Sequence, residues 1–66
     1  MRIRLNGKET SVEVGSTVAD VVASLGAPSS GVAVAVDGDV VPRGAWAETP
    51  VRDGAVVEVL TAVQGG

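Results

Sequence analysis

The hydrophobic period of this chain switches from two to about 3.6 in one segment only, which restricts the fold to a sheet covered by a single helix. Met1, Ile3 and Leu5 alternate with Arg2 and Arg4, the pattern of a strand with one buried and one solvated face. Asn6-Gly7 supplies turn chemistry, and Thr10 to Val14 resumes the alternation with Val12 and Val14 expected inward. A hairpin results in either of two registers. A loop at Asn6-Gly7 sets Arg4 across from Glu9, and one at Gly7-Lys8 sets Arg2 across from Glu13; both keep Val12 on the face of Ile3.

The helical segment follows Gly15. Thr17 with Asp20 three residues on forms a variant capping box, and Val18, Val21, Val22 and Leu25 make one apolar stripe at i, i+3, i+4 and i+7. Gly26 in the C′ position and Pro28 beyond it are the stop signals. Val32, Val34 and Val36 then alternate with Ala33 and Ala35, so both faces are apolar but only one is bulky, as an interior or partly covered strand requires. Asp37-Gly38 turns the chain into a short strand at Val40-Val41, which Pro42 confines to a sheet edge because it cannot donate to a ladder. Arg43 to Pro50 has no clear period and holds Trp46, the only aromatic residue, expected to plug one end of the core or shield the edge rather than anchor a partner. After Asp53-Gly54 a last strand runs from Ala55 to Leu60, with Val57 and Val59 on the face opposite Glu58.

The order strand, strand, helix, strand, short strand, strand specifies an α+β fold of the β-grasp kind. A mixed sheet of four to five strands packs on one helix, and a right-handed crossover makes the first and last strands parallel central neighbours. The expected core is Ile3, Leu5, Val12, Val18, Val21, Val22, Leu25, Val34 and Val57, where the strand and helix periods agree on a buried face. Residues 1–62 form the domain and residues 63–66 a flexible C-terminal tail, which has neither turn chemistry nor apolar period.

Composition removes whole classes of function. A chain of 66 residues has room for one domain and none for a catalytic lobe. With no Cys and no His, neither a disulfide nor an ordinary zinc site can staple it, so stability must come from packing. The same absences, with no Tyr, remove the usual nucleophiles and the best neutral-pH proton carrier, so an enzyme with a bound cofactor is not expected. The net charge of −3 comes without a basic stripe, which argues against nucleic acid, and no apolar run is long enough to span a bilayer. Nor does an apolar signal region follow Met1, so a soluble, cytoplasmic protein, monomeric when free, is expected. Asp37, Asp39, Asp53 and Glu58 sit mostly beside turn glycines and are expected to shape turns rather than hold metal; Arg2, Arg4, Lys8 and Arg43 are expected to be solvated charges.

Several blocks of the chain carry a resemblance. Val32 to Gly38, Val41-Pro42-Arg43 with Trp46, Thr49, Asp53-Gly54, Val57-Glu58-Val59 and the ending Ala62-Val63-Gln64-Gly65-Gly66 resemble successive blocks of the ThiS family, the ubiquitin-like sulfur carriers of thiamine thiazole biosynthesis. The order of elements and the Gly-Gly ending belong to ubiquitin-like sulfur carriers in general, whereas the Val-Pro-Arg block with Trp and the Ala-Val-Gln-Gly-Gly ending point to this family. Val21-Val22 stands where a Leu pair is common, a change of volume that a core tolerates. The resemblance implies that Gly66 is adenylated by a ThiF-type adenylyltransferase that consumes ATP. A sulfur donor system then converts it to a thiocarboxylate, and the sulfur passes to thiazole synthase, ThiG.

The tail suits that chemistry. From Leu60 to Gly66 an extended chain reaches roughly 20 Å at ~3.3–3.6 Å per residue, far enough to enter a partner's active site. Gly65-Gly66 lets a narrow channel close around bare backbone, and an α-carboxyl, ionised at neutral pH, resists attack on its carbon until activated. Without Cys, the terminal carboxyl is the one plausible place to hold transferable sulfur. Val63, Gln64 and Gly65 are then the residues a partner enzyme recognises, and Leu60, Val40 and Ala35, with Ala33, form a candidate docking patch. Rival expectations are a small subunit of molybdopterin synthase, a ubiquitin-like modifier joined to lysines through Gly66, and an interaction module whose glycines do nothing.

Overall fold

In the computed structural model, which describes residues 1–26 and 31–61, five strands form one mixed sheet in the order β2-β1-β5-β3-β4. β1 (Arg2–Leu5) and β2 (Lys8–Ser11) are antiparallel, with Arg4 opposite Glu9 and Leu5 opposite Lys8. Of the two registers open to the sequence, the chain therefore takes the Asn6-Gly7 loop. Asn6 and Gly7 have φ of 51° and 82°, the paired positive values of a type I′ turn, whose twist matches that of the strands it joins. β3 (Val32–Val36) and β4 (Asp39–Val41) repeat the design around Asp37 and Gly38, at φ 51° and 88°. β5 (Val56–Thr61) lies between β1, to which it is parallel, and β3, to which it is antiparallel, so the first and last strands are parallel neighbours as expected.

Helix α1 (Val18–Ser24) starts at Thr17 with the capping box complete: the Asp20 amide donates to the Thr17 hydroxyl, and the Thr17 amide donates to the Asp20 carboxylate at 2.9 Å. Val18, Val21 and Val22 are buried against the sheet. They meet Ile3, Leu5, Val34, Val57 and Val59 from the strands, which occupy every second position. Glu58 faces away, as the alternation requires.

Two expected core members, Leu25 and Val12, are placed differently, as is Val14, expected to face inward. Leu25 is the C-cap of α1, past its last full helical turn, and is 45% exposed; a stripe position assigns a face but not whether the sheet still lies beneath it. Val14 is 85% exposed because β2 stops at Ser11, so the alternation has no partner strand to hold it inward; Val12 is half-buried and packs on the rim of the core. The Pro28 stop signal lies outside the described residues.

The segment without a period adds to the core. Arg43–Glu48 forms a 3-10 helix that packs against α1 and buries Trp46, whose Nε1 donates to the Val41 carbonyl at 2.9 Å. Val51 and Ala55 join it in the core. Trp46 thus closes the end of the core near edge strand β4, with its single polar atom satisfied as a buried indole needs. The following chain is tied to the start of α1, where the Val18 amide donates to the Thr49 carbonyl and the Val51 amide to the Ser16 carbonyl, both at 2.9 Å.

Candidate functional site

The helix and the 3-10 helix cover one face of the sheet, and among the described residues no element covers the other. On the open face the period-2 rule brings together residues distant in sequence. Ala33 lies opposite Leu60, Ala35 opposite Glu58 on one side and Val40 on the other, and Arg4 opposite Val56. Val40 and Leu60 are 75% and 68% exposed. Ala33, Ala35, Val40 and Leu60 line one shallow depression with Glu58, so the candidate docking residues are in fact neighbours. Val56, which shares the face at the same period, is a further exposed aliphatic; its spacing from Glu58 and Leu60 was the available signal. The basic margin of this face holds Arg2, paired with Glu9 at 3.2 Å between two well-exposed side chains, and Arg4 beside it.

β5 directs the chain. Its residues alternate main-chain groups between neighbours: Val56 accepts from the Asp37 amide on the β3 side, Val57 from the Asn6 amide on the β1 side. Asn6 does more than turn the chain. Its side-chain Oδ1 accepts from the Val59 amide at 2.8 Å, standing where the main-chain carbonyl of a longer β1 would stand in a parallel ladder. Asp37 makes the matching contact at the other end, its Oδ1 accepting from the Val56 amide at 2.9 Å, and the Asp53 carboxylate accepts from the Arg2 amide at 2.9 Å. These carboxylates therefore act on turns and strand ends, and among the described residues no group of three His, Cys, Asp or Glu side chains is arranged to hold a metal. No polar or charged residue among them is buried.

β5 ends at Thr61 beside the apolar patch, and the sequence continues through Ala62 to Gly66. The expected tail residues Val63, Gln64, Gly65 and Gly66, and the boundary between domain and tail, lie outside the described residues. No described helix is long and apolar enough to cross a membrane.

Known proteins match this arrangement over its whole length. The model of the ThiS family matches residues 3–66. The sulfur carrier protein ThiS of Escherichia coli (strain K12) is 30% identical over 66 residues, which cover 100% of both chains. A thiazole synthase of Paramagnetospirillum magneticum is 32% identical over the same 66 residues, which are 100% of this chain and 20% of that protein's length. The crystal structure of the thiamine biosynthesis protein (ThiS) from Geobacter metallireducens superposes with a TM-score of 0.83 at 32% identity, covering 100% of each chain. An NMR solution structure of a thiamine biosynthesis protein from the same organism gives 0.80 at 33% identity, covering 100% of this chain and 88% of that one. With its fold, open face and full-length matches in agreement, the chain belongs to the ThiS family, the sulfur carrier proteins of thiamine biosynthesis, and is a carrier rather than an enzyme.

Proposed function

We propose that this chain carries sulfur as a thiocarboxylate on Gly66. The observation that carries the proposal is that the family match runs through Gly66 in a sequence without a single cysteine. A thiol-based carrier is therefore excluded by composition, and a carboxyl carbon is left as the acceptor. An ionised carboxylate has no leaving group, so a ThiF-type adenylyltransferase first joins it to AMP at the expense of ATP, releasing pyrophosphate. The terminal sulfur of a donor system's persulfide then attacks the carbonyl carbon and AMP departs, leaving an acyl disulfide. A second thiol of the donor system cleaves its S–S bond, releasing the thiocarboxylate and becoming a disulfide.

Thiazole synthase receives the sulfur. The resemblance of this chain to 20% of the length of a thiazole synthase supports that assignment. Leu60, Val40, Ala35 and Ala33 dock the carrier on the activating enzyme, because this exposed apolar surface adjoins the strand from which the tail continues. Val63, Gln64 and Gly65 are then held as extended backbone in the enzyme's channel. The carrier works in the cytoplasm as a monomer that moves between these partners.

The test is intact mass spectrometry after incubation with ATP, a ThiF-type enzyme and a sulfur source. The wild-type chain should gain the mass of one oxygen-for-sulfur exchange. A chain lacking Gly66 should melt like wild type and gain nothing, since its carboxyl falls short of the reacting phosphate by one residue, ~3.3–3.6 Å. An equal mass gain in the shortened chain would refute the assignment to Gly66.

A further inference from the structure

The sheet is incomplete on one side of β5, at the point where the tail begins. β1 pairs with β5 only through Arg4 and Leu5, and the Asn6 side chain adds one more rung at the Val59 amide before the chain turns away into β2. β5 itself continues to Thr61, and β3 stays paired with it to that residue through Val32. The alternation of main-chain groups along β5 decides what is left over. Val56, Glu58 and Leu60 turn their groups to β3, while Val57, Val59 and Thr61 turn theirs to the β1 side. The next rungs on that side are the Val59 carbonyl and the Thr61 amide, and among the described residues no strand pairs with either. An open rung beside a well-exposed Leu60 is a template for an incoming strand.

We infer that the activating enzyme takes hold of the carrier by adding an extended segment of its own to this edge. That segment pairs with the Val59 carbonyl and the Thr61 amide in the place β1 vacates and lays an apolar side chain against Leu60. The edge adjoins the strand from which the sequence continues to Gly66, the residue that this enzyme adenylates in the carrier reading. This inference rests on the carrier reading and adds its docking geometry. Asn6 is the positioning residue of the device: by occupying the Val59 amide it ends the internal ladder and fixes where the external one starts. The opposite edge of β5 cannot serve, because β3 fills it.

The inference depends on a main-chain amide, so the test removes that amide and keeps the rest. Thr61→Pro deletes it without touching the β3 ladder, and an amide-to-ester replacement at Thr61, made by semisynthesis, does the same without a proline ring. Both should melt within a degree or two of wild type and raise the KM for the carrier roughly tenfold with kcat little changed, as expected for loss of one to two main-chain hydrogen bonds. Thr61→Ala keeps the amide and should behave as wild type. In the complex, exchange of the Thr61 amide with solvent should slow at least about tenfold relative to the free chain. Wild-type KM for both the proline and the ester variants, or a Thr61 amide that exchanges as fast in the complex as in the free chain, would overturn the inference. So would a dimer of the carrier that Thr61→Pro dissolves, since the edge would then belong to a second copy. If the unaltered chain gains no sulfur at all, the carrier reading fails instead, and the two failures are distinct.

Discussion

The Asn6-Gly7 and Asp37-Gly38 turns share one backbone, with φ of 51° at both first residues and 82° and 88° at the glycines. In each, the first residue donates its amide to a β5 carbonyl and accepts a β5 amide on its side-chain oxygen. Their surroundings differ. Asp37 stands on the antiparallel side, binding both main-chain groups of Val56 at the exposed start of β5. Asn6 stands on the parallel side and reaches from the Val57 carbonyl to the Val59 amide, in a partly buried position where β1 has run out. One turn closes a ladder that is already complete, and the other substitutes for a missing strand. A local motif thus acquires its consequence from the strand beside it, and β5 is the strand common to both.

Breaking that common element should abolish the comparison altogether. Val57 is 0% exposed and lies between the two turns, so Val57→Asp buries an unpaired carboxylate at a cost of several kcal/mol against the ~5–15 kcal/mol of a typical domain. Circular dichroism should show no cooperative melt, and a near-wild-type transition would contradict the placement of the core.

Removing one side chain at a time separates the turns. Glycine accepts the φ of 51° without strain, so Asn6→Gly and Asp37→Gly delete the side-chain acceptors and leave the turns intact. Asn6→Gly should cost about 1–2 kcal/mol, because the Val59 amide is left partly buried without a partner. Asp37→Gly should cost less than about 1 kcal/mol, since water replaces the lost acceptor at the exposed Val56 amide. Equal losses in urea titration would show that the burial difference does not matter.

The smallest effect sharpens the comparison further. Asp37→Asn keeps an oxygen in the same place and removes only a charge, so its stability should stay within about 0.5 kcal/mol of wild type. A larger loss in the same titration would mean that the Asp37 charge, not its geometry, holds the start of β5.

Much of this was legible from residue order. The strand periods of Met1 to Leu5, Val32 to Val36 and Val57 to Val59, the Thr17 to Asp20 capping box and the turn dipeptides each depend on interactions within a few residues, and the structure repeats them. That Leu60, Val40, Ala35 and Ala33 share one face was legible too, because alternation names the face opposite the core even before the strands are paired. Val14 and Leu25 were not, since a period continues in sequence after the neighbouring element has stopped in space. Val51 escaped for the converse reason: it enters the core from a loop, where no period marks the inward side, while Ala55 shares the two-residue period of Val57 and Val59 and Trp46 closes one end of the core.

By itself, then, the sequence determined the kinds of element, their turns and caps, the absence of any thiol in the chain, and the Gly65-Gly66 ending. All of these follow from local sterics, local hydrogen bonds or composition. Only the tertiary structure decided which hairpin register is used, where the core ends, and that the carboxamide of Asn6 binds the amide of Val59, 53 residues away. Such a contact leaves no local trace, because the energy that favours it exists only once β1 and β5 lie side by side.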